Sequence, residues 1–469
     1  MKIGFKLTLL FVGIGLLSVT IIGWISYIEG KSSLEQESFN RLTAVREMKA
    51  NQIEDYFELI ENQIISYSKN YTVINAMKQF KADFNSIDDE FEKIKDTLDW
   101  KFDDIKGYYE NEFIPRLNKN DHIKHLADEF LVKSDAGSIL QRIFISNNPN
   151  PVGQKQNLSL VDGPFNYLST HKTYHHLFKD FLEKFGYYDI FLVDNKTGDI
   201  VYSVYKEIDF GASLKEGSFV NTNFSKVFDA AVGSNDNDFV ALVDYKPYKP
   251  SYNAPAAFMS SPIFDGEECI GVLVFQMPIE KINNIMTNNE EWSNMGLGES
   301  GETYLVSEDY TLRNQSRFLI EDRQEYFKMI EKIGMDSSII AQIRTFNSSI
   351  GLQEVRTEGT IAALKGEVDT RIFPDYRGVE VLSAFKPLDI KGLNWVIMSE
   401  IDKDEAFKPV YKLRNSIWLF LAITLIFILL ISYFASRMIT KPIKSLTKTS
   451  RELARGNWDV EVKVEQNDE

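Results

Sequence analysis

The stretch ALVDYKPYKPSYNAPAAFMSSP, residues 241–262, gathers residue types that suit holding a small molecule. Pro247, Pro250 and Pro255 make it loop-like, and Tyr245, Tyr248 and Tyr252 offer aromatic walls with hydroxyl tips. Asp244 is suited to pair a ligand ammonium, and Lys206, upstream, a carboxylate. At strand spacing Ala256, Phe258 and Ser260 share one face, as Tyr202 and Val204 do on theirs. A concave, partly apolar site with a few polar groups is what such a ligand needs. The alternative for the same tyrosines is core and loop packing.

Other chemistry has weaker support. His171 and His175 stand four apart on an expected helix with His176 beside them, but no third zinc ligand or His-Glu-x-x-His arrangement accompanies them. The turn DNKTGD, residues 194–199, resembles a calcium loop only superficially. Lys196 stands where a ligand oxygen is required, and no Glu occupies the twelfth position. Gly233–Phe239, GSNDNDF, reads as an Asx-rich turn. No Walker motif, nucleophile elbow or paired-carboxylate constellation is apparent. The reading is therefore a protein that is not an enzyme, with no metal and no cofactor.

These candidates must be positioned by a chain of 469 residues, enough for about three domains. A net charge of −16 argues against nucleic acid as a partner, which needs clustered Lys and Arg. Cys269 is the one cysteine, so there is no intramolecular disulfide and no cysteine metal cluster. Two apolar runs stand out: Leu7–Ile28, with Trp24 and Tyr27 at its far end, and Ser416–Ser436, with Trp418 and Tyr433 near its ends. At about 1.5 Å per residue each reaches across a hydrocarbon core of roughly 30 Å. The first reads as an uncleaved anchor, with a cleaved signal peptide as the alternative. Arg437, Lys441, Lys444, Lys448, Arg451 and Arg455 follow the second run and mark the cytoplasmic side. Residues 29–415 then lie outside the cell membrane.

Between the runs the period changes. Leu42, Val45, Ile53, Tyr56, Ile60, Ile64 and Tyr67 share a helical face, and no Pro or Gly interrupts residues 31–106. A second amphipathic helix is expected to stop before Pro115. From Phe185, YYDIFLVDNKTGDIVYSVY reads as a hairpin, and GETYLVSEDYTLRNQS repeats the theme from Gly301. MSSPIFDGEECIGVLVFQMPIEKIN and LSAFKPLDIKGLNWVIMSEIDKDEA match as strand, turn, strand and polar exit. Two modules built alike form an internal repeat, each of α+β class. After the second apolar run, Ile439, Ile443, Leu446, Ser450 and Leu453 form a heptad seam. Pro442 predicts a bend or hinge and Gly456 a helix stop. Val460, Val462 and Val464 alternate with charged residues as an extended connector, and Asn467-Asp468-Glu469 offers the cap of a further helix.

The closing segment resembles the first two-thirds of a HAMP signal-relay domain; the alternative is a juxtamembrane basic helix on anionic lipid. The strings FGYYDIFLVDNKTGDIVYSV, YKPSYNAPAAFMSSPIFDG and GLGESGETYLVSEDYTLRNQSRF resemble double-Cache sensors. Such sensors have PAS-like sheets on one long N-terminal helix, as in bacterial chemoreceptors, sensor kinases and membrane nucleotide cyclases. The resemblance implies this organisation: cytoplasmic N-terminus 1–6, first transmembrane helix 7–28, helical region 29–184, membrane-distal module 185–286, membrane-proximal module 287–415, second transmembrane helix 416–436 and partial HAMP domain 437–469. It implies a dimeric receptor in the bacterial inner membrane. Its distal module takes an extracytoplasmic small molecule, with Tyr202, Lys206, Asp244, Tyr245, Tyr248, Tyr252, Phe258 and Ser260 as candidate contacts. Ile439, Pro442, Ile443, Leu446, Leu453 and Gly456 are the candidate signal relay. An amino-acid signature known in some double-Cache receptors has an Arg-x-Trp-Tyr core, which does not occur here. By family frequency the output is that of a methyl-accepting chemoreceptor acting on cytoplasmic partners. A sensor kinase, a cyclase or a tethered binding protein without its own output are the alternatives.

Overall fold

The computed structural model describes residues 3–97, 103–121, 123–457 and 459–460. The chain divides into two units, one of residues 41–402 and one of residues 1–40 with 403–469.

The first unit begins within α1 (Ile3–Ser68), where Leu42, Val45, Ile53, Phe57, Ile60 and Ile64 are buried. Three- and four-residue steps put these on one stripe, with Phe57 taking the seam position expected of Tyr56. Within the stretch that no Pro or Gly interrupts, the helix nevertheless breaks at Lys69. Asn70 accepts a hydrogen bond from the Thr72 N–H (2.8 Å) and caps a new helix, α2 (Tyr71–Ile94). A short Asn side chain that competes for backbone donors ends a helix without Gly or Pro. The expected stop before Pro115 does not occur. α3 (Asp103–Tyr108) passes through a π-turn at Tyr109–Phe113 into α4 (Ile114–Asn120), and Pro115 sits in the first turn of α4. α5 (Asp135–Gln141) and α6 (Asn166–Phe185) precede the first sheet.

That sheet holds β1 (Asp189–Asp194), β2 (Ile200–Ser203), β3 (Ala241–Tyr248), β4 (Ala254–Asp265) and β5 (Glu268–Gln276), antiparallel in the order β2-β1-β5-β4-β3. The hairpin expected over 187–205 forms as β1 and β2. The Asp194 carboxylate accepts the Lys196 N–H (2.7 Å) and Gly198 takes φ +75°, which closes the turn. α7 (Asn223–Val232) lies on one face, over Phe191, Phe258, Val272 and Val274. Ile190, Leu192, Met259, Leu273 and Phe275 face the other way, onto α1, α2 and α6.

After α8 (Ile279–Thr287), a second sheet holds β6 (Glu302–Ser307), β7 (Asp369–Pro374), β8 (Glu380–Pro387) and β9 (Trp395–Asp402) in the order β6-β9-β8-β7. α9 (Arg317–Glu321), α10 (Arg323–Lys332), α11 (Ser337–Phe346) and α12 (Glu358–Leu364) lie between β6 and β7 in the chain. The order repeats that of β1-β5-β4-β3, so the internal repeat is present, but β2 has no counterpart. The hairpin expected over 301–316 reduces to β6 and single bridges at Thr311 and Leu312. The Asn314 side chain takes the Leu305 N–H (2.7 Å), a donor that a pairing strand would otherwise use.

In the second unit, α13 (Lys403–Ala406) precedes α14 (Lys408–Ala454). Among the described residues two helices are long and apolar enough to cross a membrane. Gly15, Gly23 and Gly30 of α1 leave room for Ile428, Ile417 and Leu413 of α14, the small-residue contact by which apolar helices approach. At Pro442, α14 continues as helix; the ring removes one backbone bond without ending it. The helix stops at Ala454, and Gly456 takes φ +85° as the sequence suggests. Ile439, Ile443 and Leu446 are exposed, and Leu453 is half-buried. The connector expected over Val460–Val464 and the cap at Asn467–Glu469 fall, beyond Val460, outside the described residues.

Candidate ligand site in the five-stranded module

The eight candidate contacts do not converge. Phe258 and Ser260 lie under α7, where Phe258 stacks on Phe224 (4.6 Å) and the Ser260 hydroxyl donates to the Val227 carbonyl (2.7 Å). Tyr202 faces the opposite core, stacked on Phe80 (4.6 Å), with its hydroxyl bonded to His175 Nδ1 (2.9 Å). Tyr245 packs beside Trp395 of β9. Asp244, read as the partner of a ligand ammonium, is already paired. Arg313 Nη2 reaches its Oδ2 at 2.9 Å, and the Ser307 hydroxyl donates at 2.5 Å. Lys206, read as the partner of a carboxylate, is buried at φ +59°, and its ammonium donates to the Ser203 carbonyl. It also sits over the rings of Tyr202 (4.2 Å) and Phe210 (4.8 Å).

The remaining two, Tyr248 and Tyr252, border a group of acids that the sequence reading did not single out. β2 leads into a loop, residues 204–214, that folds back on the sheet; the Ile200 N–H bonds the Ala212 carbonyl (2.8 Å) and the Gly211 N–H the Ile200 carbonyl (3.0 Å). Gln141 of α5 pins this loop by donating to the carbonyls of Ile208 (2.7 Å) and Phe210 (2.9 Å), and accepts from the Tyr109 hydroxyl (2.8 Å). The fold-back brings Glu207 and Asp209 to Asp189, the first residue of β1.

Each acid has hydroxyl or backbone donors. Asp189 Oδ1 accepts the N–H groups of Ile190 (2.6 Å), Val204 (2.8 Å) and Tyr205 (3.1 Å). Glu207 accepts from the hydroxyls of Tyr188 (3.0 Å) and Ser251 (2.9 Å). Asp209 Oδ2 accepts from the Tyr248 hydroxyl (2.6 Å). Asp209 Oδ1 and Gln276 Oε1 are buried without a hydrogen-bond donor. Tyr252 takes φ +56°, with its ring 5.6 Å from that of Phe113.

Burial, then the charge of Asp209, raises the carboxyls of Asp189 and Glu207 above their ordinary range. Burial also pushes Asp209 up to about 6, against the pull of the Tyr248 hydroxyl. Lys206 is lowered by burial. Three carboxyls and two buried acceptors without a donor thus lie together, and Lys206 carries the ammonium that acts on Asp189. Of the histidines weighed for zinc, His171 and His175 are buried and His176 is exposed. His171 and His175 stack at 4.3 Å, and burial followed by the charge of Lys206 lowers both, His175 to about 3. Among the described residues no group of three metal-ligating side chains occurs.

Two sheets of one strand order along a long helix, with an apolar helix following the second sheet, define a double sensor module joined to a membrane-type relay. The chain belongs to the Cache domain family, which matches residues 32–410, and a HAMP domain matches residues 434–469. The methyl-accepting chemotaxis protein PctB of Pseudomonas aeruginosa is 23% identical over 229 residues, 48% of this chain and 30% of PctB. The chain thus spans about 30% of the length of that curated relative. Among solved structures, the ligand-binding domain of the P. aeruginosa amino acid chemoreceptor PctC in complex with GABA is 13% identical. That match has a TM-score of 0.31 and covers 52% of this chain and 85% of that one. The periplasmic sensory domain of the Campylobacter jejuni chemoreceptor Tlp1 is 13% identical with a TM-score of 0.32, covering 58% and 93%. The ligand-binding domain of Pseudomonas fluorescens chemoreceptor CtaA in complex with L-serine is 12% identical with a TM-score of 0.30, covering 68% and 99%.

Proposed function

We propose that this chain is the input half of a chemotaxis receptor in the bacterial inner membrane, and that its outward-facing five-stranded module takes a small molecule bearing an ammonium or guanidinium group. The observation that carries the ligand class is the acceptor excess at Asp189, Glu207, Asp209 and Gln276, two of whose buried oxygens have no donor. Tyr248 and Tyr252 supply the aromatic wall, and Lys206 limits the charge beside it. The positive residues after Ser436 support a cytoplasmic location for that end of the chain.

The exposed seam of Ile439, Ile443 and Leu446 supports a homodimer, in which the same seam of a second copy covers it. Ligand binding shifts a pre-existing equilibrium only by its preference for one state. In this reading that preference is relayed along β9, α14 and the seam. The test is a fusion of this chain to a chemoreceptor output, read as kinase control in membranes. Leu446→Asp and Pro442→Ala are each expected to change output while ligand affinity stays within about twofold, well under the tenfold that 1.4 kcal/mol would give. Unchanged output in both variants would overturn the relay.

A further inference from the structure

The four-stranded module contains a second acid pair that the ligand site does not use. Glu302 of β6 and Glu400 of β9 stand directly opposite each other in the antiparallel register, and each is 3% exposed. A charge on either carboxyl is costly at this depth, and Asp375 is a like charge that acts on both. The row continues with Ser383 of β8, opposite Glu400, and Arg371 of β7, opposite Ser383.

The groups around the pair donate hydrogen bonds but do not neutralise it. The Tyr376 hydroxyl (2.6 Å) and the Arg317 N–H (2.5 Å) donate to Glu302, and the Tyr304 hydroxyl (2.8 Å) to Glu400. Arg377 favours the charged form of both acids but is itself paired with Asp375 and Asp402, while the Arg317 guanidinium pairs with Glu321 and Arg371 with Asp369, Glu358 and Glu367. From α10, the buried Tyr326 hydroxyl is spent on Gln353 (2.8 Å).

We propose that Glu302 and Glu400 form a proton-operated switch: a proton on the pair lets β6 and β9 close, and its loss drives them apart. β9 ends at Asp402, six residues before α14 begins, so a shift of β9 is delivered toward the second apolar helix. The switch itself needs no ligand; its use as an input signal rests on the receptor reading above.

Burial, then the charge of Asp375, pushes Glu400 up to about 8, and burial pushes Glu302 up to about 7. The folded chain therefore holds protons that the unfolded chain has released. Stability falls as pH rises from about 5 and levels off above the folded-state values.

The test is infrared titration of the full chain in micelles, following the carbonyl band of protonated carboxyl groups. Asp189, Glu207 and Asp209 also contribute, so the quantity read is the difference between the wild type and Glu400→Gln. That difference is expected to titrate near neutral pH, and Glu400→Gln is expected to flatten the fall in Tm with rising pH. Tyr304→Phe, which removes a donor favouring the charged form, is expected to move the midpoint upward and decides the matter alone if Glu400→Gln does not fold. A difference band absent at neutral pH, or a midpoint unmoved by Tyr304→Phe, overturns the switch. An intact titration with no effect of pH on a fused output would instead count against the receptor reading.

Discussion

Trp395→Ala is expected to destabilise the first unit by about 3 kcal/mol, the low end of the range for aromatic-to-alanine changes in a core. Trp395 opens β9 and is 1% exposed. It meets Phe57 of α1 edge-on (ring centroids 5.5 Å) and lies beside Tyr245 of β3 (6.3 Å). One side chain thus joins the long helix, the five-stranded sheet and the four-stranded sheet. Its indole N–H is buried without a partner, so the substitution also removes an unsatisfied donor, which keeps the loss from the top of the range. Urea unfolding followed by circular dichroism checks this. The midpoint should fall sharply for Ala and by much less for Trp395→Phe, which retains the ring contact with Phe57.

The second large effect is expected at Asp244. Its carboxylate pairs with Arg313 through both Nε and Nη2, and Arg313 is 1% exposed. Removing one partner of a buried ion pair costs more than the pair contributes, because a buried charge is left behind. Asp309 still holds Arg313 Nη2 at 2.7 Å, so Asp244→Ala is expected to cost about 3 kcal/mol, the low end for such losses. Asp244 belongs to the first sheet and Arg313 follows the first strand of the second, so the pair also ties the sheets together. Limited proteolysis should show faster cleavage between residues 277 and 301 in Asp244→Ala, and the double change with Arg313→Met should recover part of the stability.

The two-sheet repeat is legible because each strand pair has its own signal: alternation, a turn with Gly or Asp, and a polar exit. β4 with β5 and β8 with β9 follow those signals closely. The missing counterpart of β2 is not legible, since it depends on one side chain, Asn314, taking a ladder donor. The same cause hides the break at Asn70. At the site, strand spacing puts Phe258 and Ser260 on one strand face, but spacing says neither that Tyr202 faces the other core nor which loop folds beneath a sheet. Asp189, Glu207 and Asp209 come together only because residues 204–214 turn back on β2. A trace of this was present in the sequence, since Asp209 stands between Ile208 and Phe210 and Asp189 opens a wholly apolar run. Asp244 reads as a free carboxylate because its partner lies 69 residues further along the chain.

The central claim is tested most directly by calorimetric titration of the full chain in nanodiscs with putrescine and agmatine, against succinate as a carboxylate of similar size. The account predicts saturable binding of a cationic probe, none of succinate, and a loss of at least about tenfold (1.4 kcal/mol) in Asp209→Asn. At a hundred times its dissociation constant the probe should stabilise the fold by about 2.7 kcal/mol. Binding of succinate alone, or binding of a cation at full affinity in Asp209→Asn, would contradict it.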